Sequence, residues 1–190
     1  MPRPPLQYCL FLAASLLGWP IASTAQEVVH ATLGTVTSID SAAKTITVLL
    51  PGAKEQLFKV TGPTVPIDFD KRMSADSQPA ATFQTTGAFA VVFYIGGEDN
   101  QTAVALKDLG KGPFSSTDGK VTIWDRHLRE MTLTDSAGAI RQFRIAPETI
   151  VETVMGALDG SQYQPRRGDE VRVVSQEENG ASTALFVKDM

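Results

Sequence analysis

Gly34-Thr35-Val36-Thr37-Ser38-Ile39-Asp40-Ser41-Ala42-Ala43-Lys44-Thr45-Ile46-Thr47-Val48 is the stretch that decides the fold. Thr45-Ile46-Thr47-Val48 alternates polar and apolar side chains, the period-2 pattern of a half-buried strand. Asp40-Ser41-Ala42-Ala43 before it is turn chemistry. The stretch also recurs. Shifted by about 85 positions, Gly34, Val36, Thr37 and Asp40 meet Gly119, Val121, Thr122 and Asp125 without a gap. In the same register Thr47, Phe58 and Thr64 meet Thr132, Phe143 and Thr149. Towards the end of each copy the shift becomes about 81, so that Gly87 meets Gly168, Val92 meets Val173 and Thr102-Ala103 meets Thr183-Ala184. A difference of this size fits in one middle loop, which accepts length changes at little cost. The chain reads as a tandem duplication.

Each copy carries five predicted strands. In the first they span about Ala31–Asp40, Thr45–Leu50, Gln56–Thr61, Ala88–Ile95 and Thr102–Asp108. In the second they span about Lys120–Asp125, Glu130–Thr134, Gln142–Ala146, Glu170–Ser175 and Ser182–Lys188. Between the third and fourth strands of the second copy, Pro147-Glu148 opens a stretch to Met155 that predicts one or two helical turns ended by Gly156 and Gly160. The corresponding Thr64–Thr86 predicts an irregular loop. Three strands, a connection and two strands suit an all-β chain of two tandem five-stranded OB-like Greek-key barrels. Paired open sheets or a sandwich are the alternative. The expected division is a signal peptide over 1–25, a first barrel over 26–110 and a second over 111–190, joined through Gly110-Lys111-Gly112-Pro113.

Of the 190 residues 43% are hydrophobic, 20% charged and 7% aromatic, which excludes disordered and collagen-like classes. With 17 basic against 21 acidic residues the chain lacks the basic surplus of a nucleic-acid binder. Arg3 and the apolar run Leu6–Leu17, broken by Gly18-Trp19-Pro20, read as a targeting segment. Ser23 and Ala25 satisfy the small-x-small rule, so cleavage is expected after Ala25. A retained anchor is the alternative, although the run is short for a membrane span. Cys9, the only cysteine, would leave with the segment. The expectation is a periplasmic or secreted protein, free of thiols and with no stable membrane insertion after cleavage.

The quoted opening resembles the first hairpin of bacterial exported small β-barrel (OB-like) domains of unknown function. It is also distantly similar to the periplasmic copper-binding proteins of silver/copper efflux systems. The resemblance implies fold and compartment. Those copper proteins bind through a methionine pair, a histidine and a tryptophan. Here Trp124, His127 and Met131 are present, but no second methionine accompanies Met131. The ligand set is incomplete, and no cofactor is expected.

The most distinctive local sequence is Trp124-Asp125-Arg126-His127-Leu128-Arg129-Glu130, where the first copy has Ile39-Asp40-Ser41-Ala42-Ala43-Lys44-Thr45. In this fold the first hairpin loop borders the usual ligand face. Trp124, Arg126, His127 and Arg129 are therefore the candidate ligand-binding residues, because an indole flanked by guanidinium groups stacks on sugars, planar rings or anions. The other reading has Trp124 filling the barrel as Ile39 does. Seven of the eight arginines after Ala25 lie in the second copy, and Arg141 and Arg144 are expected beside Arg129. Asp68 with Asp70, and Glu98 with Asp99, lack the spacing of a calcium loop. No serine elbow, phosphate-binding glycine loop or thiol nucleophile is present, so no enzyme activity is expected. The resulting expectation is an exported, non-catalytic binding or envelope-assembly module whose partner is an anionic glycan or an envelope protein. A periplasmic metal-binding carrier and a structural spacer are the alternatives.

Overall fold

The alternation after Lys44 and the turn before it become the first hairpin of a closed barrel. The computed structural model describes residues 27–60, 76–97, 99–178 and 180–190. Strands β1 (His30–Asp40), β2 (Thr45–Leu50) and β3 (Lys54–Val60) form an antiparallel meander. A three-residue β4 (Ser77–Pro79) and a single 3₁₀ turn, Ala80–Thr82, precede β5 (Phe89–Ile95) and β6 (Thr102–Asp108). β5 returns to pair with β1, and β6 pairs with β5. A short parallel contact of Lys59 and Val60 with Thr102 and Ala103 joins β6 to β3. The ring β1-β2-β3-β6-β5 is thereby closed.

The same cycle repeats. Strands β7 (Ser115–Asp125), β8 (Glu130–Asp135), β9 (Ile140–Thr153), β11 (Glu170–Glu178) and β12 (Ala181–Asp189) close in the order β7-β8-β9-β12-β11, again with one parallel contact, β9 to β12. Among the described residues the sixth strand differs: β4 lies along β6, whereas β10 (Gly156–Asp159) folds back on β9. Both sheets are OB-like Greek-key barrels rather than open sheets or a sandwich. Closure satisfies the backbone groups that an open edge would expose. The expected signal segment, Asp68, Asp70, Arg72 and Glu98 lie outside the described residues.

The residues shared by the two copies are those the hairpin geometry constrains. A β-carbon on Gly34 would sit 2.5 Å from the carbonyl oxygen of Leu49, and one on Gly119 would sit 2.7 Å from that of Thr134. Both first strands then bulge at the same place, at Thr37 and at Thr122. The two threonine hydroxyls donate to Thr47 O at 3.3 Å and Thr132 O at 3.1 Å. Asp40 Oδ1 accepts the amides of Ala42 and Ala43, as Asp125 Oδ1 accepts those of His127 and Leu128. Such Asx turns are why aspartate ends both strands.

The helix expected over Pro147–Met155 is not formed; β9 runs on as strand to Thr153. Ile145 partners Ala184 and Ile150 partners Phe186, so residues 146–149 bulge past the single Leu185 of β12. Pro147 lies in this bulge, where no ladder amide is required of it. The buried Thr149 hydroxyl donates to Ala184 O at 2.7 Å and ties the bulge down. The β-branched run Thr149-Ile150-Val151, stiff at χ1, prefers the pleated surface of β12 to a helix. Gly156, at φ +111°, turns the chain into β10 instead of ending a helix.

Among the described residues, three apolar clusters form. Val36, Ile46, Val48, Phe58, Val92 and Leu106 fill the first barrel, and Val121, Met131, Leu133, Phe143, Ile145 and Val173 fill the second. The third cluster lies between the barrels: Leu33, Val91 and Phe93 from the first meet Ile150, Val174 and Phe186 from the second. The unbroken apolar run Phe89–Ile95 follows from this, since β5 sends Ala90 and Val92 into its own barrel and Val91 and Phe93 across to the other. Strands buried on both faces lose the alternation.

At the margin of this junction, Glu152 is 8% exposed and accepts His30 Nδ1 and the Ala31 amide, each at 2.7 Å. His30 also stacks on Tyr94, with ring centroids 5.7 Å apart. His30, the first residue of β1, is thus tied into the junction. Burial raises the Glu152 carboxyl above its usual range, and the Ala31 and His30 hydrogen bonds offset this only in part. The folded chain therefore holds this proton more tightly than the unfolded one. Its contribution to stability is complete below the ordinary carboxylate value and is lost as pH rises through the raised one. Denaturant melts should show wild type losing stability relative to Glu152→Gln as pH rises above the ordinary carboxylate value of about 4. A difference that is flat with pH would contradict this.

Candidate functional site

The β7–β8 hairpin carries the four candidate residues, and its backbone is strongly constrained. Asp125 caps the turn from one side, and Arg129 closes it in the left-handed region at φ +55°. Its counterpart Lys44 does the same in the first barrel at φ +53°. This conformation places the Arg129 side chain over the end of the barrel. Its Nε donates to Ile145 O at 3.0 Å and its Nη1 to Ser161 O at 3.4 Å, while Nη2 donates to Gly160 O. The guanidinium also lies over the Trp124 ring, with Cζ 5.7 Å from the ring centre. Arg129 therefore joins the hairpin, β9 and the turn after β10, with its donors directed at backbone carbonyls.

Trp124 is half-buried against the second barrel's core, as Ile39 is against the first. Its Nε1 is buried and has no acceptor among the described residues. Arg126 and His127 lie outward at the exposed tip, where Arg126 Nη2 donates to Gln164 Oε1 at 3.1 Å. Leu128 beside them is 62% exposed. The four residues thus divide into a braced pair, Trp124 with Arg129, and a presented pair, Arg126 with His127. Arg144 stands opposite Glu130 in the sheet, next to the hairpin, whereas Arg141 stands opposite Leu133, further along it.

Arg141 belongs to a different feature. A cleft of about 540 Å³ lies where the β2–β3 turn (Pro51, Gly52) meets Asp118, Asp135, Arg141 and Arg172 of the second barrel. Arg172 and Asp118 form a two-bonded pair across β11 and β7, both contacts 2.6 Å, and the guanidinium holds the Asp118 carboxyl below its usual range. Sequence reading missed this pair. Its only signal is that residues 118 and 172 become cross-strand partners, a register known once the barrel closes.

The soft-metal ligands of the sequence are held in different environments. Met131 is fully buried inside the second barrel, while the His127 ring is exposed at the hairpin tip. Among the described residues no three His, Cys, Asp or Glu side chains converge, and no helix is long and apolar enough to cross a membrane.

No family model matches the chain, and no curated protein does. Among solved structures, silver-bound CusF aligns at 18% identity and a TM-score of 0.32, over 40% of this chain and 97% of its own. Apo-CusF from Escherichia coli aligns at 17% identity and a TM-score of 0.33, over 44% of this chain and 94% of its own. A Drosophila Unr fragment, CSD456, aligns at 12% identity and a TM-score of 0.32, over 85% of this chain and 61% of its own. The assignment of OB-like barrels rests on the strand pairing itself.

Proposed function

We propose that this chain is exported through its first 25 residues and acts without catalysis, as a cell-envelope binding module for an anionic glycan. One observation carries the reading: the β7–β8 hairpin is braced from below by Arg129 and Trp124 while Arg126 and His127 remain at its exposed tip. A tip held in one conformation loses little freedom on binding, which favours affinity. Carboxylate or sulfate groups match the guanidinium and, when protonated, the imidazole. The lack of catalytic motifs agrees with a binding role. Export is supported by the basic, apolar and small-residue order of the N-terminus.

Trp124 is the only tryptophan after Ala25, so its emission reports on the hairpin. Titration with a polyuronate oligosaccharide should change that emission and saturate. Arg126→Ala with His127→Ala should weaken binding about tenfold, or roughly 1.4 kcal/mol, with an unchanged melting temperature. Unaltered affinity in the double variant would remove the site from consideration. Arg129→Ala tests the brace: with three carbonyls and the indole released, emission should move to the red and acrylamide quenching should rise.

A further inference from the structure

The duplication allows one barrel to be compared with the other at the same place. Ile39 and Trp124 occupy equivalent positions near the ends of β1 and β7, each packed against its own barrel's core. Lys44 and Arg129 are equivalent and share the left-handed backbone. Val60 N donates to Lys44 O and Ile145 N donates to Arg129 O, both at 2.8 Å. A turn crosses each barrel end and sends an aromatic ring inward: Phe83, 1% exposed, in the first and Tyr163, 4% exposed, in the second.

One difference remains. In the second barrel this end is filled by the Trp124 indole beneath the Arg129 guanidinium. In the first, the smaller Ile39 leaves an opening of about 180 Å³ lined by Ile39, Ile46, Val60, Ala80 and Phe83, with Lys44 at its rim. That is room for a single ring system and not for a drug-sized molecule, which fills roughly 300–1,000 Å³. Asp40, Ser41, Thr45 and Gln84 complete the lining beside these apolar side chains, and Lys44 holds the backbone position that Arg129 holds beside Trp124. A flat π-face beneath a cation is the favourable arrangement for both partners.

We propose that the open end of the first barrel is a binding pocket for a small free aromatic molecule, whose ring takes the place that the Trp124 indole takes in the second barrel. The chain's second copy shows the shape and chemistry that this end of the fold accepts when filled. The pocket is separate from the Arg126–His127 tip, so it stands or falls independently of the glycan reading.

The test is titration of the full chain with indole, followed through methyl resonances. Indole should shift the Ile46 and Val60 methyl signals upfield by its ring current and saturate in the millimolar range, leaving those of Met131 and Ile145 in place. Cyclohexanol, apolar but without a π-face, should bind at least tenfold more weakly. Ile39→Trp copies the second barrel: it should weaken indole binding at least tenfold while leaving the melting temperature within a few degrees of wild type. Lys44→Met should weaken indole severalfold and leave cyclohexanol unaffected. The proposal is overturned if indole gives no saturable shift at Ile46 and Val60, if cyclohexanol binds equally well, or if a folded Ile39→Trp still binds indole as wild type does. Should Ile39→Trp fail to fold, the wild-type comparison of indole with cyclohexanol decides by itself.

Discussion

Phe93→Ala should lower stability by about 3–5 kcal/mol, the usual cost of removing a fully buried aromatic ring. The ring is completely excluded from solvent, yet it lies outside both barrel interiors, in the cluster shared with Ile150, Val174 and Phe186. For a chain of this length the loss corresponds to roughly 6–20 °C in melting temperature. Its consequence for cooperativity is more informative than its size. Wild type should melt in one transition reported equally by Trp124 in the second barrel and by far-ultraviolet signal from both. With Phe93 truncated, the junction loses packing on both sides, and the two probes should separate as each barrel melts nearer its own midpoint. Coincident transitions in a destabilised Phe93→Ala would show that the barrels do not depend on this cluster for their coupling.

Gly34→Ala and Gly119→Ala should each cost about 1–3 kcal/mol or more, the range for forcing extra atoms into a packed position. Here the added carbon meets backbone carbonyl oxygens, at 2.5 Å and 2.7 Å, which cannot turn aside as a side chain can. The neighbouring strand must move instead, opening the β1–β2 or β7–β8 ladder next to the threonine bulge. Because Gly119 stands at the base of the hairpin bearing Trp124, its substitution should also change tryptophan emission, whereas Gly34→Ala should leave emission unchanged. Gly97→Ala is the control: nothing lies within 4 Å of the added carbon, and its effect should stay within about 0.5 kcal/mol. Chemical denaturation of the three variants separates close approach from a general penalty for losing glycine. Equal effects would mean that the glycines repeat for some other reason.

These glycines show why so much of the barrel was legible. Gly34/Gly119, Thr37/Thr122 and Asp40/Asp125 are positions where backbone geometry dictates side-chain identity, so two diverged copies retain them. The strands between need only alternation on one buried face, and β2 and β8 begin within the sequence-based bounds. Pro147-Glu148 misled because proline with an acid is chemically a good helix start. The outcome depended on β12, whose parallel pairing and Ala184 carbonyl draw Thr149–Thr153 into the sheet. Nothing local to that stretch encodes where β12 lies.

The candidate hairpin was found for a sound local reason, the concentration of aromatic and basic groups where the first copy has small ones. Its division of labour was not legible. Arg129 and Arg126 are the same residue three positions apart, yet one is committed to the carbonyls of Ile145, Gly160 and Ser161 and the other lies at the tip. The difference comes from the left-handed turn and from carbonyls supplied by β9, 16 residues away, and by the turn after β10, 31 and 32 residues away.

The sequence by itself determined the repeat, the positions of the main strands, the hairpin turns and the all-β class. The strands and turns follow from interactions between near neighbours and patterns of period two, and the repeat from residues matched in near-constant register. Tertiary structure alone decided the apolar junction between the barrels, the continuation of β9, the Asp118–Arg172 pairing and the open end of the first barrel. Those depend on which surfaces meet and which volumes remain unfilled. Such quantities are set only when distant segments come into contact.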